Sequence, residues 1–197
     1  MVMNILHRKE QLILTAIDII NELGIQKLTT REIAKRQDIS EATLFRHFKN
    51  KNDLLIAVLD YFNQFDADIL QSAKLNHLPP KEALIYSLTS VAEYYENYPA
   101  ITTLFQVFDV LLYEEELSDK VKEIQMSRIS TIAGYIEEAK RAGELNEEID
   151  SRNVAIMISG YFRELCFHWK MEQYSFSLRD NLISTVNKML DTLGKVL

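Results

Sequence analysis

Between residues 28 and 51 the apolar positions fall into two short helical groups separated by a tight turn. Leu28, Ile33 and Ala34 form the apolar side of the first group. Leu44 and Phe48, four apart, stack on one face of the second, and Ile39 sits in the turn. Thr29 with Glu32 three residues on has the form of a capping box, and Ser40 is a good N-cap for the second helix. The positions left facing outward are Thr30, Arg31, Glu41, Ala42, Thr43, Arg46, His47, Lys49 and Lys51, mostly hydroxyls and cations. A two-helix unit with one apolar face and one hydroxyl-plus-cation face has the shape of a helix-turn-helix, which places its second helix in the DNA major groove.

The rest of the pattern is helical as well. Ile13, Ala16, Ile17, Ile20 and Leu23 give an i, i+3, i+4, i+7 stripe over about residues 4–23, and Gly24 ends that helix in the αL manner. Asn50 caps a fourth helix that continues through Leu54, Leu55, Val58, Leu59, Phe62, Phe65, Ile69 and Leu70 as one rod over about 51–75. A rigid rod of this kind lets a change in the body reorient the head. Residues 76–80 are the clearest break, with Pro80 placed to start the next helix, which runs to about Asn97. A helix over about 100–113 is apolar nearly all round and is expected to be buried. Glu114, Glu115 and Glu116 read as a solvated loop, with Ser118 capping a long helix that Gly143 ends. Asp150 caps the next helix, and the last spans about 177–193. Neither strand alternation nor an internal repeat is present. The expected architecture is all-α, with about nine helices: a three-helix DNA-binding domain over 1–50 and a six-helix body over 51–197.

Composition refines this picture. Five Gly and three Pro in 197 residues leave room for few turns, and one cysteine, Cys166, allows no intrachain disulfide and fits a reducing compartment. The N-terminus lacks a signal-peptide core, and no apolar run approaches the roughly 18 residues of a membrane span, so a cytoplasmic protein without a membrane partner is expected. A net charge of −7 argues against nucleic acid until its distribution is considered. Residues 1–51 hold nine Lys and Arg against six Asp and Glu, a net +3, which leaves −10 for the remainder. A basic end on an acidic body presents one end to phosphate.

The motif stretch resembles the TetR family of bacterial transcriptional regulators. The matching residues are Thr30-Arg31-Glu32-Ile33-Ala34, then Ser40, then Thr43-Leu44-Phe45-Arg46-His47-Phe48, Lys51 and Leu54. By position, the resemblance implies that Arg31, Glu41, Ala42 and Thr43 face base edges and that Thr30, His47 and Lys51 hold phosphate, with Ser40, Phe45 and Arg46 completing the DNA-facing set. Arg suits guanine O6 and N7, whereas a carboxylate such as Glu41 is repelled by phosphate unless it accepts from cytosine N4. Two positions depart from the family. Phe45 stands where Tyr is usual and has no hydroxyl to give a phosphate, although its ring can pack against the sugar backbone or a thymine methyl. Asp38 stands where Gly is usual, and Asp tolerates αL better than most residues.

The resemblance also implies repression relieved by a small effector and dimerisation through the last two helices, on a palindromic operator with reading helices about 34–36 Å apart. Effector candidates are the aromatics Phe62, Phe65, Tyr95, Phe105, Phe108, Tyr161, Phe162 and Trp169, which suit a small hydrophobic molecule. The stretch from Met157 to Leu165, ending at Trp169, faintly resembles the branch that regulates fatty-acid metabolism in response to acyl-CoA. Val154, Ile158, Leu182, Val186 and Met189 offer an apolar dimer seam with helical spacing. The alternative on the same fold is an architectural or division factor with no inducer. Catalysis is not expected: Cys166 and His168 are two apart on a helix and diverge, and no metal-ligand spacing, cofactor motif or phosphate-cradling Gly loop is present.

Overall fold

A computed structural model describes the backbone of residues 3–75 and 77–193, and the side chains of these apart from 3–7, 65–67, 70–71 and 73–75. Among the described residues there are nine α-helices, two 3-10 turns and no strand, so the all-α expectation holds. The helices are α1 (Met3–Leu23), α2 (Thr30–Arg36), α3 (Glu41–Phe45), α4 (Lys51–Leu75), α5 (Pro80–Asn97), α6 (Thr103–Leu111), α7 (Glu115–Arg141), α8 (Ser151–Met171) and α9 (Leu178–Leu193). They form two compact units. The first holds residues 1–64 and 99–122, the second 65–98 and 123–197.

In the first unit, α1 is the backing of the motif. Its apolar stripe is buried from Ile13 to Ile20, with Leu12, Ala16, Ile17 and Ile19 at 0% exposure, while Leu23 at its end is 48% exposed. It packs on α2, and also on the 3-10 turn Pro99–Thr102 and on α6. Leu28, Ile33, Leu44 and Phe48 fill the space beneath the motif and are wholly buried. Each such side chain contributes about 1.5–3 kcal/mol. Arg36 also straps α2 to α1 through Glu22 at 2.8 Å, and is steadied within α2 by Glu32 at 3.1 Å. Its side chain is partly exposed, and a surface pair is worth only about 0–1 kcal/mol, so the apolar contacts carry the packing. Burial and the neighbouring Glu22 raise the carboxyl of Asp18 above the usual carboxylate range, against a smaller opposing pull from Arg36.

The motif turn is fixed from behind. Gln37 Nε2 donates to Thr15 Oγ1 at 2.7 Å, and Arg8 donates to Gln37 Oε1 at 3.2 Å. Asp38 takes φ 49, the left-handed position expected for a residue standing where glycine is usual. Gly24 has φ 82 but ψ 159, so α1 ends in an extended, positive-φ conformation rather than in αL. That region is essentially open to glycine alone. α4 then starts on a reciprocal cap, with Asp53 N donating to Asn50 Oδ1 at 2.7 Å and Lys49 N to Asp53 Oδ2 at 2.9 Å. Farther along it, Asn52 donates to Glu116 at 2.8 Å and Asp60 pairs with Lys120 at 2.8 Å. Both contacts tie α4 to the start of α7.

The start of α7 corrects the expected boundary. The helix begins at Glu115, not at a Ser118 cap, and takes up most of the acidic run. Leu117 and Val121 are buried, so the apolar spacing reaches one turn earlier, and Glu115 and Glu116 suit the positive end of a helix. α6 is also shorter and less enclosed than its composition suggests. Leu104, Phe105, Val107, Phe108 and Leu111 are buried, but Val110 and Leu112 are over 40% exposed and Tyr113 is 91% exposed.

In the second unit α5 lies against α9, with Lys81 paired to Asp191 at 2.7 Å near one end and Glu93 to Arg179 at 3.1 Å near the other, so the two run antiparallel. Glu96 accepts from Ser177 Oγ and Arg179 N and so holds the start of α9. Asp150 caps α8 through Asn153 N at 2.9 Å, as expected. Ser151 donates to Glu137, and Lys140 bonds Glu137 and the Ile149 carbonyl, which closes the α7–α8 turn. The Ser151 hydroxyl first, and then Lys140, hold the Glu137 carboxyl below the usual carboxylate range.

The left-handed Asp38 makes the motif turn a place where backbone strain can be tuned. Asp38→Gly should leave stability unchanged or raise it by up to about 1 kcal/mol, because the strain of a side chain at positive φ is relieved. Asp38→Val should lower it by about 1–2 kcal/mol, since a β-branched side chain is poorly tolerated there. Urea unfolding of the two variants beside wild type measures both.

Candidate nucleic-acid interface

The second helix of the motif, α3, has five residues, too few to be stable alone. Its start is fixed by Ser40, whose Oγ accepts from Thr43 N at 3.2 Å and pairs with Thr43 Oγ1 at 3.0 Å. Its inner side is fixed by Leu44 at 0% and Phe48 at 1% exposure. With those two held below, Glu41, Ala42, Phe45 and Arg46 are exposed, and Thr43 and His47 are half-buried. Phe45 presents 48% of its surface, a large apolar ring on a polar face.

α2 adds Thr30 and Arg31 to the same set. Its cap is the expected one, with Thr29 Oγ1 accepting from Glu32 N at 3.1 Å. Arg31 is exposed in the first turn of α2 and Lys51 in the first turn of α4. Thr30 is already engaged within the motif. Its hydroxyl donates to Glu41 Oε2 at 2.7 Å. A hydroxyl has one proton to give and phosphate oxygens only accept, so Thr30 offers no hydroxyl bond to phosphate while this contact stands. Within the first unit the result is one solvent-facing surface of hydroxyls, cations and one carboxylate over a closed apolar base.

The aromatic candidates for the effector fall into separate groups. Phe62, Phe105 and Phe108 form an edge-to-face cluster in the first unit, with centroids 5.5, 5.7 and 6.2 Å apart. Tyr95 and Phe162 stack at 5.3 Å in the second unit. Trp169 donates its indole N–H to the Phe176 carbonyl at 2.7 Å and meets Tyr174 edge-on at 4.7 Å. Tyr161 is half-buried with its hydroxyl 2.9 Å from Thr185 Oγ1. The side chain of Phe65 lies outside the described residues. An open groove of about 440 Å³ between α5 and α9 is lined by Leu78, Lys81, Glu82, Ile85, Tyr86 and Asn187, none of them an effector candidate. Among the described residues no group of three or more His, Cys, Asp and Glu could hold a metal ion.

Most of the expected dimer seam lies inside the single chain. Val154, Ile158, Leu182 and Val186 are at most 6% exposed within the single chain, so they belong to its own core, and Met189 is half-buried. The sequence pattern identified the apolar face of α8 and α9 but not what that face packs against. The opposite side of α8 exposes Asn153, Met157, Gly160, Glu164, Phe167 and Met171, at alternating spacings of four and three, with Ile156 beside them. The exposed apolar content of this face is Ile156, Met157, Phe167 and Met171. It is present in the sequence, but the more strongly apolar stripe conceals it.

The N-terminal geometry has a counterpart in known proteins. The family model for bacterial regulatory proteins of the tetR family matches residues 12–58. The model for the C-terminal region of MAATS-type transcriptional repressors matches residues 76–195. The chain belongs to the TetR family of transcriptional regulators. As a member of that family it is a DNA-binding transcriptional repressor. The fatty acid metabolism regulator protein of Bacillus subtilis is 27% identical, covering 93% of this chain and 92% of that protein. The HTH-type transcriptional repressor BepR of Brucella suis is 24% identical, covering 92% and 91%. Among solved structures, the regulator FadR from Bacillus subtilis in complex with stearoyl-CoA superposes with a TM-score of 0.74 at 25% identity, covering 95% of this chain and 98% of that one. No helix among the described residues of this TetR-family chain is long and apolar enough to cross a membrane.

Proposed function

We propose that this repressor acts in the bacterial cytoplasm as a homodimer on a palindromic operator and leaves it on binding a long-chain acyl thioester. The reading rests above all on the exposed face of Arg31, Glu41, Ala42, Phe45, Arg46 and Lys51 over the buried pair Leu44 and Phe48. Residues 1–50 serve as the DNA-binding part and 51–197 as the part that senses and dimerises. Arg31, Ala42 and Thr43 face base edges. His47 and Lys51 hold phosphate, with Arg46 beside them, while Ser40 sets the helix start and Phe45 packs on sugar or on a thymine methyl.

The exposed stripe on α8 supports dimerisation through this helix, with Ile156, Met157, Phe167 and Met171 as its apolar content. Gly160 lies in the middle of the stripe and is exposed, so a partner helix can come close there. The effector class is supported by the Bacillus subtilis likeness, which is named for fatty acid metabolism and, as FadR, is solved with stearoyl-CoA bound. An acyl chain entering either aromatic cluster has to displace rings now in contact, which is how binding energy becomes repacking. A ligand shifts such an equilibrium only as far as it prefers one state.

Three outcomes test this reading. Lys51→Ala should weaken binding to all sequences alike and lower the salt slope by about one, whereas Arg31→Ala should relax base preference, both read by titrating operator and scrambled duplexes over a salt series. Met157→Asp should give a folded monomer in sedimentation velocity, whereas Leu182→Ala should lower unfolding stability by about 2–5 kcal/mol through loss of core volume. Stearoyl-CoA should release a bound operator at concentrations at which free CoA does not, with fluorescence anisotropy as the readout. Retention of the operator at saturating acyl-CoA would reject the effector class.

A further inference from the structure

The two helices of the motif touch through their polar face at one point. Thr30 opens α2, Glu41 opens α3, and the Thr30 hydroxyl donates to Glu41 Oε2 at 2.7 Å. Glu41 is exposed, the one acid among the DNA-facing residues. A carboxylate only accepts hydrogen bonds, and phosphate has none to give. Its presence on this face is unfavourable unless the duplex supplies a donor, and in the major groove the donors on base edges are the amino groups of cytosine and adenine. Adenine sets the acceptor N7 beside its amino group, which a carboxylate meets unfavourably. Cytosine carries only the donor on its own edge.

Position and preorganisation point the same way. A reading helix contacts base edges with its N-terminal residues, and Glu41 is the first residue of α3. The Thr30 bond uses one acceptor position of the carboxylate and leaves others open. It also restricts a flexible side chain before DNA arrives, so less freedom is lost on binding. The neighbouring hydroxyls are engaged with each other, Ser40 Oγ lying 3.0 Å from Thr43 Oγ1. We infer that Glu41 is a specificity-determining residue that accepts from the amino group of a cytosine in each half-site, and that Thr30 is the positioning residue that aims its carboxylate. This deepens the DNA-binding reading above and rests on it.

The experiment is selection of full-length protein on a randomised duplex pool, followed by titration of the enriched site and of versions substituted at each position. Wild type should enrich a cytosine at one symmetry-related position. Glu41→Gln should keep the remainder of the site, lose that cytosine by about tenfold in relative affinity, and favour adenine there, as an amide does. Thr30→Val should weaken the same preference alone, and Thr30→Ser should restore it. Glu41→Asp keeps the charge and shortens the reach, so a lost preference in that variant separates base reading from electrostatics even where another variant folds poorly. The inference is overturned if Glu41→Gln tightens binding to every sequence alike with the site unchanged. It is equally overturned if Thr30→Val weakens all sequences alike, the behaviour of a phosphate contact. If wild type enriches no site, the DNA-binding reading itself has failed, an outcome distinct from enrichment without the cytosine.

Discussion

The structure depends on the burial of Leu44 and Phe48 against the back of the motif. A helix of five residues has no stability of its own, so the orientation of α3 is that of its two buried side chains and its Ser40 cap. Everything the outer face offers, from Arg31 to Lys51, is aimed by what lies beneath it. The ion pairs around Arg36 add definition at the edge, but exposed pairs are too weak to substitute for the core. The network from Arg8 through Gln37 to Thr15 has the same role at the turn, where it holds the end of α2 against α1.

The head was largely legible from the chain because its signals are local. Thr29 and Ser40 cap the helices they were expected to cap, Asn50 starts α4, and Asp38 takes the left-handed turn. Each of those features involves residues within four of one another, so sequence spacing is enough. Sequence spacing is not enough where tertiary packing decides the outcome. Ser118 is a reasonable cap by type, yet Leu117 is buried and draws the helix start back to Glu115. Thr30 is read from its neighbours as a phosphate contact, and nothing in the sequence shows that its hydroxyl donates to a carboxylate eleven residues away.

The last two helices show the same limit more plainly. An apolar stripe records that a face is covered, not by what. Val154, Ile158, Leu182 and Val186 satisfy every periodicity test for a seam and are covered by their own chain. The stripe left outside, from Asn153 to Met171, mixes glycine, glutamate and asparagine with Met and Phe, and its mean character is too polar to stand out. What marks it is Met157, Phe167 and Met171, large apolar side chains that the single chain leaves exposed.

The division of the chain constrains how any signal reaches DNA. Residues 99–122 belong to the same compact unit as the motif, and α1, which backs the motif, packs on both Pro99–Thr102 and α6. Asn52 and Asp60 of α4 are bonded to Glu116 and Lys120 of α7 in that unit. The reading face therefore shares a core with α6 and with the first turns of α7, and a close-packed core does not deform continuously. Movement of Phe105 or Phe108 has to be taken up by Phe62 on α4, because their rings are in edge contact. Lys51 is the first residue of that same helix. A repacking of these three phenylalanines thus has a mechanical route along α4 to Lys51, the residue proposed above to hold phosphate.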